Sequence, residues 1–296
     1  MDIKQVETFL KIIETGSFTA AAEHLGYAQS TVTGHISQLE QSLGVQLFER
    51  TSKTKKPTTS AMALLPYARQ FVAVRKRAID AMLAVSNQMG GKVVAGASET
   101  VCISSLAEPL AAFSSANPGV ELVIRIMDCA DASRMLRSNE IDFAFFTGEP
   151  LSEKGLRTMA LRWETMALAY QPERFSGRPD VSDGFPLEEH YLVATRGCVF
   201  RTLLEENFKT SGAGSPHLME VGSIQVVKNL CACNLGLAFL PEYSMENEKR
   251  EGKLEYIAFN KMYSRSIATQ IVTHENKALT PAMNRLIEDL SKNLIA

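Results

Sequence analysis

The sequence predicts an α+β multidomain chain: an N-terminal winged helix-turn-helix, a long linker helix and a C-terminal two-lobed α/β domain. Three observations carry this. The chain has 296 residues, about twice the roughly 100–200 of one typical domain. It opens with three short amphipathic patterns separated by glycine-containing turns, and after Gly90-Gly91 strand-like and helix-like patterns alternate. A composition of 45% hydrophobic and 22% charged residues suits a folded core and argues against a disordered chain. With 18 Gly and 11 Pro there is no collagen or low-complexity signal. No uncharged apolar run reaches the roughly 18–20 residues of a membrane helix. Met1 to Lys11 contains Asp2 and Glu7 and lacks the apolar stretch of a secretory signal. Five cysteines, an odd number, point to reduced thiols rather than a disulfide framework.

The first helix is read from Val6, Phe9, Leu10 and Ile13, whose i, i+3, i+4, i+7 spacing predicts an amphipathic helix from Ile3 to Glu14. Gly16 suits its C-cap and Ser17 can N-cap the next helix. That helix runs from Phe18 to Leu25, with Ala20, Ala21 and Ala22 allowing close approach of a neighbour. Gly26-Tyr27-Ala28 is a tight turn. A third helix follows from Gln29 to Ser42, with Val32, Ile36, Leu39 and Leu43 on its buried side. Helix, Gly-containing turn and polar-fronted helix make a helix-turn-helix pattern. The exposed front offers Gln29, Ser30, Thr31, Thr33 and His35, short donors and acceptors suited to phosphates and base edges at a helix N-terminus. Gly44 to Arg50, a basic turn through Lys56, and Pro57-Thr58-Thr59 read as a strand, turn and returning strand: a wing whose cations can neutralise phosphates or enter the minor groove.

The overall net charge of −2 hides an asymmetry. Residues 50–79 hold Arg50, Lys53, Lys55, Lys56, Arg69, Arg75, Lys76 and Arg77 and no acid, so this segment is +8 and the remainder carries −10. A compact basic block in an otherwise acidic chain suggests a module that faces a polyanion, the alternative being a solvated basic helix face.

These residues resemble a known family. Phe9, Gly16-Ser17-Phe18, Ala21-Ala22, Leu25, Gln29-Ser30, Ile36, Leu39-Glu40, Leu43-Gly44-Val45 and Leu47-Phe48-Glu49-Arg50 together are similar to the winged helix-turn-helix of LysR-type transcriptional regulators. Two positions depart from the pattern. Gly34 stands where the family often has a longer polar or basic side chain, at a helix cost of about 1 kcal/mol relative to Ala. Met62 stands where the family usually has Gly. The candidate DNA-contacting set is Ser17, Gln29, Ser30, Thr31, Thr33, His35, Arg50, Thr51, Lys53 and Lys55.

From Ala61 to Met89 there is one Pro, Pro66, and no Gly. Leu65, Ala68, Val72, Arg75, Ile79, Met82 and Ser86 fall on one stripe of alternating 3 and 4 spacing. Pro66 is read as lying near enough to the start to be tolerated. The resemblance implies an antiparallel linker-helix dimer through Leu65, Ala68, Val72, Ile79 and Met82. The other reading is that the stripe packs on the chain's own C-terminal domain.

Beyond the Gly pair, strands are expected at Lys92–Ala97, Val120–Ile126 and Ile141–Thr147, with helices at Ser104–Ser115 and Ala130–Ser138: a βαβαβ order that argues for a parallel sheet. A second set comprises strands at Thr165–Tyr170, His190–Ala194, Leu218–Val221 and Leu237–Leu240 and helices at Val199–Phe208 and Ile224–Cys233. A strand at Ser266–Thr273 returns, and Ala278–Leu294 closes as a helix with Met283, Leu286, Ile287 and Leu290 on one face. Gly96-Ala97-Ser98, Phe113 with Asn117-Pro118-Gly119-Val120, Glu140-Ile141-Asp142-Phe143-Ala144, Gly222-Ser223-Ile224 and Gly236 to Pro241 resemble the periplasmic-binding-protein-like effector domain of the same family. Asn234 replaces a preferred Gly and tolerates the left-handed conformation.

Ligands of such domains bind between the lobes, at strand C-termini and helix N-termini. Ser98, Thr100, Thr147, Cys198, Arg201, Thr202 and Ser223 are the candidate effector residues. Their hydroxyls and free N–H groups would hold a small anionic metabolite, with Arg201 adding charge; plain helix capping is the other reading of each Ser and Thr. Glu99 beside the cleft would repel an anion or recognise an amino group. Cys198 between arginines at a helix start is either a redox-sensitive thiol or a packed small residue. Cys231 and Cys233, two apart on a helix, point to different faces. No metal site, cofactor motif or catalytic pair appears.

The expectation is therefore a non-enzymatic, cytoplasmic regulator. Residues 1–60 bind double-stranded promoter DNA, 61–89 dimerise and 90–296 sense a small-molecule effector, with lobe I at about 90–163 and 269–296 and lobe II at about 164–268. The partners are promoter DNA, the effector, a second copy in a homodimer or homotetramer, and RNA polymerase, with no membrane and no cofactor. The alternative is a two-lobed solute-binding or enzymatic domain whose N-terminal module only dimerises.

Overall fold

A computed structural model of the chain describes residues 1–49, 56–86, 89–175, 186, 189–210, 215–259 and 267–295. The chain divides into two compact units, Met1–Met82 and Leu83–Ala296.

In the first unit α1 (Ile3–Thr15), α2 (Phe18–Leu25) and α3 (Gln29–Leu43) form where periodicity and caps place them. Asp2 and Gln5 make a capping box at the start of α1. Gly16 and Gly26 end α1 and α2 at φ 68° and 67°, left-handed values that turn the chain sharply between helices. Val6, Phe9, Ile12, Ala21, Ala22, Val32, Ile36 and Leu39 form one core with Leu47 and Phe48. The Phe48 ring lies 5.1 Å from that of Phe18 and 6.0 Å from that of Phe9. Leu43 is exposed, contrary to its expected burial, because Leu47 and Phe48 complete the core at that end. One carboxylate fixes their approach: Glu40 Oε1 accepts from the N–H groups of Leu47 (2.7 Å) and Phe48 (3.2 Å). The described part of the wing is a bridge between Phe48 and Pro57, flanked by the Glu49 N–H donating to the Lys56 carbonyl. Arg50, Thr51, Lys53 and Lys55 lie outside the described residues.

The fourth helix, α4 (Thr59–Ser86), starts earlier than expected because the Thr58 hydroxyl accepts from the Ala61 N–H. Pro66 is thus the eighth helical residue, beyond the first turn. It leaves the Met62 carbonyl without its helical donor, at a point where Met62 is exposed and water can serve.

The second unit carries two five-stranded sheets. Lobe I is built from β1 (Gly91–Ala97), α5 (Glu99–Ser104), α6 (Ala107–Ala116), β2 (Val120–Ile126), α7 (Ala132–Arg137), β3 (Phe143–Gly148) and β4 (Leu156–Trp163). Lobe II follows with β5 (Met166–Tyr170), β6 (His190–Val193), α8 (Val199–Thr210), β7 (His217–Glu220), α9 (Ile224–Ala232), β8 (Leu237–Pro241), α10 (Glu246–Arg250) and β9 (Glu255–Ala258). The chain then returns to lobe I as β10 (Ala268–His274) and α11 (Pro281–Ile295). The strand orders are β2-β1-β3-β10-β4 and β7-β6-β8-β5-β9.

Each sheet is mixed rather than wholly parallel. β2, β1 and β3 run parallel, as do β7, β6 and β8, whereas β10 and β5 are antiparallel to both of their neighbours. The antiparallel strands arise because the chain crosses between lobes twice. At the crossing the Glu164 N–H donates to the Ile267 carbonyl (2.9 Å). The helix expected over Ser104–Ser115 is α6, which starts at Ala107 so that Pro109 falls in its first turn, and the short α5 before it was not expected. In lobe I, Val93, Ala95, Phe143 and Phe145 pack on one sheet face with α6 and α11, and Val94, Ala144 and Phe146 on the other with α7, as strand alternation requires. Met283, Leu286, Ile287 and Leu290 of α11 are buried as expected, and Asn234 adopts φ 62°. Among the described residues no helix is long and apolar enough to cross a membrane.

Candidate functional site

The first turn of α3 is the exposed front of the helix-turn-helix. Gln29, Ser30 and Thr31 are exposed, and no side chain caps the helix at Ala28, so its leading N–H groups face outward together with the dipole. Thr33 is half-buried and its hydroxyl donates to the Gln29 carbonyl (3.0 Å). Two expected contacts are committed elsewhere. Ser17 accepts from the Ala20 N–H (3.3 Å) as the cap of α2. The His35 ring lies 2.9 Å from the Thr8 hydroxyl and edge-on to Tyr27. Tyr27, exposed beside this front, is a further candidate contact whose place in a tight turn conceals it in the sequence. A Cβ at Gly34 would meet nothing within 4 Å, so packing does not demand glycine there.

On α4 the expected stripe divides. Leu65, Ala68 and Val72 pack on the core of their own unit, and Arg75 pairs with Glu7 (3.1 Å). Ile79 and Met82 stay exposed, as do Tyr67, Phe71 and Val74.

The second unit contains a cavity of about 200 Å³ where strand ends of the two lobes meet helix starts. Lobe I brings Ser98, Glu99, Thr100, Asp128, Cys129 and Thr147; lobe II brings Thr195, Gly197, Cys198 and Gly222. Ser98, Thr100, Thr147 and Cys198 are thus gathered as expected. Much of their bonding capacity is spent inside the protein. The Thr147 N–H donates to the Ser98 hydroxyl (3.3 Å), and the Thr147 hydroxyl lies 2.5 Å from that of Tyr243 and 2.7 Å from that of Thr269. This buried chain links the lobes, and desolvation holds the Tyr243 phenol well above its ordinary pKa.

Arg201, Thr202 and Ser223 are not among the residues that line the cavity. The Arg201 guanidinium is held by Glu205 (2.8 Å) and Glu220 (2.5 Å), which raise its pKa further. Thr202 points back to the Cys198 carbonyl. Ser223 caps α9 and donates to Glu99 Oε1 (2.6 Å). Glu99 reaches across from lobe I, its Oε2 accepting from the Ile224 N–H (3.0 Å).

The two cavity thiols are poorly ionised. Burial pushes Cys129 up to about 12, and its Sγ donates to the Thr147 carbonyl (3.0 Å). Burial also raises Cys198; the N–H groups of Arg201 and Phe200 oppose this, while the charges of Asp128 and Glu99 add to it. The balance is opposite to the lowered pKa a redox-sensitive thiol requires. Cys231 is buried and Cys233 exposed, in keeping with different faces. Among the described residues no group of three His, Cys, Asp or Glu is placed to hold a metal.

Comparison with known proteins supplies the family. The model of the bacterial regulatory helix-turn-helix protein, lysR family, matches residues 3–62, and that of the LysR substrate binding domain matches residues 86–294. The uncharacterized HTH-type transcriptional regulator YfiE of Escherichia coli (strain K12) is 28% identical over 300 residues, covering 100% of both chains. The uncharacterized HTH-type transcriptional regulator YwqM of Bacillus subtilis (strain 168) is 28% identical over 290 residues, covering 97% of this chain and 98% of its own. Among solved structures, a full-length OxyR variant from Pseudomonas aeruginosa aligns at TM-score 0.69 and 20% identity over 99% of this chain and 94% of its own. Full-length CbnR complexed with its target DNA aligns at TM-score 0.67 and 20% identity over 99% and 100%. These structures share the winged helix-turn-helix and two-lobed α/β fold, and the relatives are regulators rather than enzymes. The chain belongs to the LysR family and is a LysR-type DNA-binding transcriptional regulator with a substrate-binding domain.

Proposed function

We propose that α3 reads promoter DNA through Gln29, Ser30, Thr31 and Thr33, with Arg50, Thr51, Lys53 and Lys55 of the wing on the backbone. A small effector in the cavity shifts the equilibrium between lobe arrangements and so the spacing or bend of the bound DNA. The observation that carries the DNA reading is the uncapped, exposed first turn of α3 on a well-packed three-helix core. The protein acts in the cytoplasm, where promoter DNA lies, and RNA polymerase is its downstream partner. Binding to a fragment of its own upstream region, followed by anisotropy, should weaken with salt at a log–log slope of about −5, the value for roughly six neutralised phosphates. A flat slope overturns the reading.

Two copies pair through α4. Leu65, Ala68 and Val72 support the helix from within their own unit, so the seam consists of Tyr67, Phe71, Val74 and Ala78 together with Ile79 and Met82. The spacing of the first four, 4-3-4, is that of a coiled-coil stripe. The double variant Phe71→Glu, Met82→Glu should sediment as a monomer at about 10 μM and bind DNA more weakly; an unchanged sedimentation coefficient refutes this seam.

The charge expected of the effector loses its support. Arg201, the cation meant to meet an anion, is neutralised outside the cavity.

A further inference from the structure

One helix end at the cavity that could receive an anion is already occupied by the chain itself. The N-terminus of α9 is taken by Glu99: Oε2 accepts from the Ile224 N–H (3.0 Å), and Oε1 accepts from the Ser223 hydroxyl (2.6 Å) and the Gln225 N–H (3.4 Å). A carboxylate ligand seeking those donors must compete with one tethered to the protein. No Lys, Arg or His is among the described lining residues.

What the cavity does present is negative charge and hydroxyl oxygen. Asp128 is exposed and lines the cavity. Glu99 is a second acidic residue from the same lobe, and Thr100 and Thr195 line the same space. Burial raises the Cys198 thiol most, and the charges of Asp128 and Glu99 add to the rise. A low-dielectric wall strengthens the field of these charges for whatever enters.

We propose that the cavity selects a small organic cation, an ammonium-bearing molecule without a carboxylate, with Asp128 as its counter-ion and the Thr195 and Thr100 hydroxyls as acceptors of its N–H groups. This rests on reading the cavity as the effector site. The cavity, about 200 Å³ and partly open, admits a small organic amine. Glu99 gives the preference its second half: it closes the anion-receiving helix end and leaves its own charge beside the bound cation.

The test uses the full chain and four probes at 10 mM and matched ionic strength: putrescine, ethanolamine, butyrate and succinate. Thermal unfolding should rise by at least about 2 °C with one or both amines and stay unchanged with both acids. Asp128→Asn should remove the amine shift, and Thr195→Val should reduce it by half or more; the second variant stands in if Asp128→Asn melts well below the parent chain. Stabilisation by the acids, an amine shift that persists in both variants, or no shift with either amine overturns the proposal. The salt slope of DNA binding is measured without any probe. A steep slope with no amine shift therefore removes the cation preference alone, whereas a flat slope removes the regulator reading.

Discussion

Thr31→Glu combined with Thr33→Glu is expected to abolish specific promoter binding, with a loss of at least about a hundredfold, or roughly 2.7 kcal/mol. Thr31 is exposed on the first turn of α3, and Thr33 is half-buried two residues further along the helix. Each substitution puts a carboxylate where the helix end would meet phosphate, so attraction becomes repulsion. The fold should survive, for an electrostatic reason: acids early in a helix interact favourably with its dipole, and neither threonine belongs to the core of Val32, Ile36 and Leu39. Anisotropy against the upstream fragment reads the affinity, and circular dichroism melting reads the fold. Unchanged affinity with an unchanged melt would refute α3 as the reading helix.

Lys277→Met is expected to cause a large loss of stability in the second unit. Lys277 Nζ lies 2.6 Å from Asp142 Oδ1, with the two side chains 1% and 0% exposed. The other carboxylate oxygen accepts from the Val94 N–H (2.8 Å), so the pair ties β1, the start of β3 and the segment before α11 together. Removing one partner of a buried pair leaves the other charge uncompensated, at a cost of about 3–5 kcal/mol. For a unit of this size that lowers the melting temperature by about 10 °C. Adding Asp142→Asn to Lys277→Met should recover part of the loss, since the amide oxygen still accepts from Val94 and no bare charge remains. A single variant melting within about 2 °C of the parent would show that the pair contributes little.

The legible parts of the fold share a physical character. The three N-terminal helices are bounded by their own caps, Asp2, Gly16, Ser17 and Gly26, and their apolar positions repeat at helical spacing, so local residues settle their limits. The central strands β1, β3 and β8 are continuous apolar runs and are equally plain. β4 and β9 are edge strands that the sequence reading does not anticipate, although it does anticipate the opposite edges β2 and β7. Their sequences, Leu156–Trp163 and Glu255–Ala258, carry charged residues and only partial burial, as edges do. In the cavity, Ser98, Thr100, Thr147 and Cys198 were legible because they follow strands or open helices. The fate of Arg201 was half legible. Glu205, four residues on, is visible in the sequence as an ion-pair partner, whereas Glu220 arrives from a neighbouring strand. Glu99 binding the start of α9, some 125 residues away, and His35 packing on Thr8 depend on tertiary approach that no local pattern encodes. The same holds for Asp128, whose importance comes only from the cavity it borders.

The crossing of the chain between lobes has a consequence for the order in which the protein is made. Lobe II is one uninterrupted stretch, β5 through β9, and can complete its sheet as soon as it leaves the ribosome. Lobe I begins first and finishes last: β10 is the strand that joins β4 to β3, and α11 covers one face of the sheet. Between the end of β4 and the start of β10, about 100 residues must be synthesised, which at roughly 5–20 residues per second takes about 5–20 s. Throughout that interval β3 has a bare edge, β4 has no strand partner, and the Phe143 and Phe145 face lacks its helix. The nascent chain therefore carries an open, sticky half-sheet beside a finished lobe, and its exposure to chaperones and to aggregation is concentrated in the half that started first.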